Sequence, residues 1–139
     1  MTTKAAKSSK KYSFTTGRRR TATASLKLFS GKAGSQVNGQ SIDKYFPGAI
    51  SQQRLEKPLD LCGLKNKYYF FAKCSGGGKK GQRDAVILAL ARALNRLNES
   101  VYRPILKKEG FLCVDSRIRQ RRQSGMGGKS RRQRQSPRR

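Results

Sequence analysis

Tyr68-Tyr69-Phe70-Phe71-Ala72-Lys73-Cys74-Ser75-Gly76-Gly77-Gly78-Lys79-Lys80-Gly81-Gln82 holds the change of pattern on which the fold turns. Its first seven residues are aromatic and compact. They are bounded by Asn66 on one side and by Ser75 and three glycines on the other, which predicts a central strand. From Gln82 to Asn98 the period lengthens. Val86, Ala89, Leu90, Ala93, Leu94 and Leu97 share one helical face, with Arg92, Asn95 and Arg96 opposite, so the longest helix belongs here.

Upstream, residues 21–29 alternate. Ala22, Ala24, Leu26 and Leu28 point one way and Thr21, Thr23, Ser25 and Lys27 the other, as in a half-buried strand. Gly31 to Gly34 breaks it. Asn38-Gly39 after Val37 signals a tight reversal with positive φ, which predicts a hairpin. Ser41 is placed to cap a short helix through Phe46, with Asp43 in its first turn and Pro47-Gly48 as its stop. Residues 49–57 form another helix that Pro58 halts. Downstream, Ser100 caps a helix that tolerates Pro104 near its first turn and ends at Glu109-Gly110. Residues 112–114 make a short last strand. This order predicts an α+β domain, a four-stranded sheet with helices packed on one face and the other face open. Residues 1–16 are expected to be a basic flexible extension, 17–116 the compact domain and 117–139 an extended basic C-terminal tail.

Charge bounds the partner. The 139 residues carry 33 Lys or Arg against 7 Asp or Glu and no His, a formal charge of +26. Ten basic residues and no acid lie from Arg117 onward, and seven basic residues and no acid in the first twenty. A tail with so few apolar side chains buries too little surface to offset its ordering entropy, so a polyanion must order it. Nucleic acid is the first such partner to consider. No apolar run reaches the roughly 18–20 residues of a membrane span. The N-terminus has Lys and Ser without a following hydrophobic stretch, which argues against a secretory signal. Cys62, Cys74 and Cys113 are odd in number and unevenly spaced, as expected of buried thiols in a reducing compartment. With no His and no Cys-x-x-Cys, no metal site is expected.

Gly76 to Gly81 also fits G-x-G-x-x-G between a strand and a helix, with Glu99 about twenty residues on. A dinucleotide fingerprint needs a second parallel strand soon after the helix to carry that acid, whereas Glu99 falls between two helices. No cofactor is therefore expected. The same glycines allow a polymer phosphate to approach the helix N-terminus, and Lys79 and Lys80 add full charges there. Without His or paired carboxylates, no catalytic constellation can be assembled, and the chain does not read as an enzyme.

Several motifs in order resemble one family. Gly17-Arg18-Arg19-Arg20 precedes an alternating strand. Val37-Asn38-Gly39, Tyr45-Phe46, Pro58-Leu59, the Gly76-Gly77-Gly78 to Gly81-Gln82 loop, Ala91-Arg92-Ala93-Leu94 and Gly110-Phe111-Leu112 with Asp115-Ser116-Arg117 follow. From about Thr16 onward the chain is similar to the ninth protein of the small ribosomal subunit in its bacterial and organellar form. The resemblance implies a structural constituent of the subunit head, in contact with small-subunit rRNA and neighbouring ribosomal proteins. It also implies a tail that reaches the peptidyl-site tRNA during translation. The candidate rRNA-binding residues are Arg18, Arg19, Arg20, Gly76, Gly77, Gly78, Lys79 and Lys80 in the domain. Arg117, Arg119, Arg121, Arg122, Lys129, Arg131, Arg132 and Arg134 join them in the tail. The family ends in Ser-Lys-Arg, so by position Arg138 and Arg139 are the tRNA-binding candidates, with Pro137 in place of the Ser. Two glycines and one extra residue between Gly125 and Arg131 are a second departure from the family pattern. The location implied is the ribosome of a bacterial cytoplasm or an organelle interior such as the chloroplast stroma. A free-standing basic nucleic-acid chaperone remains the alternative that composition alone leaves open.

Overall fold

The computed structural model describes residues 12–121. Along them run β1 (Tyr12–Arg19), β2 (Ala22–Ser30), β3 (Gln36–Val37), β4 (Gln40–Ser41), α1 (Ile42–Tyr45), α2 (Ala49–Leu61), β5 (Tyr68–Ser75), α3 (Lys79–Leu97) and α4 (Glu99–Lys108). The α+β class holds, with one strand more than expected. The sheet has five strands in the order β1-β2-β5-β3-β4. β2 pairs antiparallel with β1 and with β5, so the aromatic strand is central, and β3 joins β5 in parallel.

β1 corrects the sequence reading, because residues 12–16 were expected in a flexible extension. The alternation that marks a strand is hidden here because its inward residues are Thr15 and Gly17 rather than large hydrophobes. They let α3 lie unusually close. A Cβ on Gly17 would stand 2.0 Å from the Ala85 carbonyl oxygen and 2.7 Å from the Ala89 nitrogen. The buried Thr15 hydroxyl donates to the Ala89 carbonyl at 2.7 Å.

The Asn38-Gly39 reversal is as expected. Val37 pairs with Gln40, and both turn residues have positive φ, 50° and 77°, as this tight hairpin requires. Asn38 does more than turn. Its side chain accepts from the Cys74 N–H at 2.8 Å and donates to the Cys74 carbonyl at 3.0 Å, stitching the hairpin to β5.

The helices depart from expectation at their prolines and ends. α2 runs through Pro58 to Leu61. The ring removes one hydrogen bond, to the Arg54 carbonyl, but Pro58 is buried with Leu55 and Leu59, and that packing overrides propensity. α4 is capped at Asn98 rather than Ser100, and the Ser100 hydroxyl is 2.8 Å from Asn98 Oδ1. Its end is the one expected. Gly110 has φ 75°, its N–H donates to the Lys107 carbonyl, and the Phe111 N–H donates to the Leu106 carbonyl at 3.0 Å, the paired bonds of a Schellman turn.

The expected strand at residues 112–114 is not formed, and residues 112–114 join neither edge of the sheet. β4 closes one edge. At the other, Arg92 and Arg96 of α3 donate to the Thr16 and Phe14 carbonyls of β1 at 2.8 and 2.6 Å. Phe111 and Leu112 pack against the core instead, and Cys113, expected inside, is exposed. Cys62 and Cys74 are half-buried, and burial pushes the Cys74 thiol up to about 11.

α3 is buried on more than the one predicted face. All of Ala85–Ala91 and both Ala93 and Leu94 are inside, because the sheet covers one side and α2 and α4 the other. Leu97, expected inside, is exposed at the helix end. Among the described residues α2 and α4 pack on α3, on this side of the sheet. The other face, with Tyr12, Phe14, Thr16 and Arg18 of β1 outward, remains open. Among the described residues no helix is long and apolar enough to cross a membrane.

Candidate nucleic-acid interface

Three segments far apart in sequence meet at one end of the sheet. The first is the β1–β2 connection, where Arg19 pairs with Ala22 and only Arg20 and Thr21 make the turn. Arg20 adopts φ 55° there, a conformation uncommon for a residue with a Cβ. The second is the triglycine loop, which leans on that turn. A Cβ on Gly76 would fall 2.3 Å from the Thr21 carbonyl oxygen, and one on Gly77 would fall 3.2 Å from the Ala22 Cβ. Both glycines also have positive φ, so space and conformation each demand them. Gly78 has open space around it and serves as the N-cap of α3.

The root of the tail is the third segment. One terminal nitrogen of Arg19 donates to the carbonyls of Asp115 and Arg117, both at 3.1 Å, and the other lies 3.0 Å from an Asp115 carboxylate oxygen. Arg20 Nε donates to the same Arg117 carbonyl at 3.1 Å. Arg117 forks Nε and a terminal nitrogen onto both Asp115 oxygens at 3.0 Å, and its N–H adds a third bond at 3.1 Å. Arg117 thereby holds the Asp115 carboxyl well below the usual carboxylate range, and the Arg19 charge adds to the effect.

A polar chain fixes the glycine loop from behind. Asn38 donates to the Tyr45 hydroxyl at 3.0 Å, that hydroxyl donates to Gln82 Oε1 at 2.7 Å, and Gln82 Nε2 donates to the Gly76 carbonyl at 3.0 Å. Lys79 Nζ donates to the Tyr45 carbonyl at 3.1 Å and lies 4.8 Å from the centre of its ring. Its ammonium is therefore held at the surface in one place, while retaining donors for an anion.

The candidate residues divide accordingly. Arg19, Arg20 and Arg117 join the turn to the tail root. Arg18 is exposed on the open sheet face, with Nε donating to the Arg20 carbonyl at 3.1 Å. Gly76, Gly77, Gly78, Lys79 and Lys80 sit at the start of α3, with Lys80 exposed. Arg119 and Arg121 follow on the exposed chain beyond Arg117. Arg122, Lys129, Arg131, Arg132, Arg134, Arg138 and Arg139 lie outside the described residues. Sequence reasoning missed the Asn38–Tyr45–Gln82 chain and the arginines at the edge of β1. Asn38 was legible only as a turn residue, and its side-chain bonds to β5 depend on a strand thirty residues away.

Most acidic groups are already engaged. Glu56 and Asp60 pair with Lys65, Asp84 with Arg83, Glu99 with Arg103 and Glu109 with Lys57. Basic groups far outnumber these acids, and the excess positive charge favours a polyanion.

The ribosomal protein S9/S16 family model matches residues 17–139. The chain is 41% identical over 118 residues to small ribosomal subunit protein uS9 of Desulfovibrio desulfuricans, covering 85% of this chain and 90% of that one. It is 42% identical over 113 residues to uS9 of Methylacidiphilum infernorum, covering 81% and 82%. Against uS9 of Cutibacterium acnes it is 37% identical over 111 residues, covering 80% of this chain but 64% of that protein. The match extends over most of the folded domain as well as the tail, and the motifs that converge on Arg19, Gly76 and Asp115 all lie within it. The chain belongs to the ribosomal protein S9/S16 family.

Proposed function

We propose that the protein is a structural constituent of the small ribosomal subunit, whose folded domain binds rRNA and whose basic tail runs on through RNA toward the peptidyl-site tRNA. The observation that carries this reading is the anchoring of residues 115–117 by Arg19 and Arg20. It ties the start of the tail to the β1–β2 turn, on which the glycine loop before α3 also leans. Phosphates approaching that end meet Lys79, Lys80 and first-turn N–H groups without helical partners. The RNA path then continues along Arg119 and Arg121.

The binding is read as electrostatic. Each Arg or Lys that neutralises a phosphate releases counterions, and the guanidinium fork directs paired bonds to phosphate oxygens. Contact of Arg138 and Arg139 with a tRNA backbone would favour occupancy of the site by any tRNA, since phosphates carry no sequence. No reaction is ascribed to the chain. Its partners on this reading are small-subunit rRNA, neighbouring proteins of the subunit head and peptidyl-site tRNA. The compartment is a bacterial cytoplasm or an organelle that keeps such ribosomes.

Deleting Pro137 to Arg139 tests the tip and assembly together. The shortened chain should co-sediment with small subunits while tRNA binding at the peptidyl site weakens. Unchanged tRNA affinity across several salt concentrations would remove the tip from the mechanism. Failure of the full chain to enter small subunits would overturn the assignment itself.

A further inference from the structure

The open face of the sheet pairs aromatic rings with cations and, apart from Arg18, is built from residues outside the basic end just described. Register places Tyr12, Phe29 and Tyr69 in one row across β1, β2 and β5, and Phe14, Lys27 and Phe71 in the next. Lys73 and Arg18 follow toward the turn end. Phe29 is the hub: its ring centre lies 5.4 Å from that of Tyr12, 5.3 Å from Tyr69 and 5.5 Å from Phe71. Braced in this way, Tyr12 and Phe71 are still 49% and 40% exposed, and Phe14 beside them is 46% exposed. Lys27 lies 4.9 Å from the centre of the Tyr12 ring.

We propose that this face is a stacking platform for unpaired nucleotides of the bound RNA, with Phe14 and Phe71 offering rings to bases and Arg18, Lys27 and Lys73 meeting phosphates. The inference rests on the RNA-binding reading and adds to it a second surface of different chemistry. Two observations select RNA over a protein neighbour. No carboxylate occurs in β1, β2 or β5, so the charged groups these strands present on the face, Arg18, Lys27 and Lys73, are all cations. Lys27 also sits in the middle of an aromatic row, whereas the buried core of a protein interface is depleted of charge. Bases of any identity can stack on such rings, and a sheet with outward aromatics is a general solution for holding single-stranded RNA.

The test titrates the full-length chain with a single-stranded oligouridylate and with duplex RNA of equal nucleotide number, each over a range of salt. Phe71→Ala should weaken single-strand binding about five- to 150-fold, the loss expected for one stacked base, and leave duplex binding unchanged. The slope of log affinity against log salt should stay the same, because that slope counts phosphates rather than rings. Phe71→Tyr should restore affinity. Phe14→Ala, whose side chain is outward on β1, provides a second reading should the first variant fold poorly. If both alanine variants bind the single strand as tightly as the parent while duplex RNA is still bound, the platform is refuted and the RNA-binding reading stands. If the parent binds neither RNA, both fall. Normal RNA binding with loss of the variants from assembled subunits would assign the face to a protein neighbour and overturn the proposal.

Discussion

Arg19 and Asp115, 96 residues apart in sequence, are joined by a 3.0 Å ion pair and by a bond from the same guanidinium to the Asp115 backbone. This contact links the first turn of the sheet to the point where the chain leaves the domain. Arg19 is only 14% exposed in its side chain, so it is a fixed post rather than a mobile surface charge. Arg19→Ala should free the tail root while the sheet stays folded. Trypsin cleavage after Arg117 should then quicken by at least about three- to tenfold, as the root loses two carbonyl bonds and an ion pair while Arg20 still holds Arg117. An unchanged cleavage rate would mean that Arg20 holds the root alone.

The same cluster has a pH dependence whose sign follows from Asp115. Its folded carboxyl titrates below the unfolded value of about 3.9, chiefly through the hydrogen bonds from Arg117. The stability the anchor contributes is therefore fully present above about pH 5 and shrinks as pH falls from the unfolded value toward the depressed folded one, where the carboxylate itself is finally protonated. Carbon NMR of the Asp115 carboxyl should show the depressed midpoint, and Arg117→Gln should move it upward. An ordinary midpoint in the parent would show the carboxylate to be solvated rather than forked by Arg117.

Glycines 17 and 78 separate packing from binding. Gly17→Ala drives a methyl into the backbone of α3 at Ala85 and Ala89, where neither neighbour can swing aside. Overpacking of this kind costs about 3 kcal/mol, a fall in melting temperature of roughly 12 °C or more for a domain of this size. Gly78 is unobstructed and has φ −107°, so Gly78→Ala should cost under about 1 kcal/mol, the scale of a changed cap. If RNA affinity nevertheless falls in Gly78→Ala, the helix start is a phosphate contact. Equal affinity would leave Gly78 as a connection only.

Patterns of burial and turn chemistry made much of this architecture readable. Residues 22–28, the Asn38-Gly39 reversal, the aromatic strand and the Gly110 stop each announce themselves within a few positions. What escaped was set by long-range partners. β1 is inconspicuous because Thr15 and Gly17 are chosen for the nearness of α3, and Pro58 stays helical because its ring is buried with Leu55 and Leu59. The basic runs of the candidate site were plain in the sequence, but a charge run does not say which guanidinium will turn inward. Arg19 is held against Asp115 while its neighbour Arg18 lies on the open face, a division decided by the side of β1 on which each residue falls.

The arginines of α3 show the same dependence on tertiary partners and can be tested directly. Helical periodicity places Arg92 and Arg96 opposite the apolar face, yet both reach the outer edge of β1 and occupy the Thr16 and Phe14 carbonyls. An edge strand with unpaired backbone groups is a template for joining another chain, and these side chains cover it. Replacing both by alanine removes two charge-assisted bonds at a partly solvated site and should cost about 1–2 kcal/mol of stability. The variant should also self-associate with rising concentration, detectable by sedimentation before any loss of helical circular dichroism. Stability within error of the parent, together with a monomer at every concentration, would show that water serves these carbonyls as well as the guanidinium groups do.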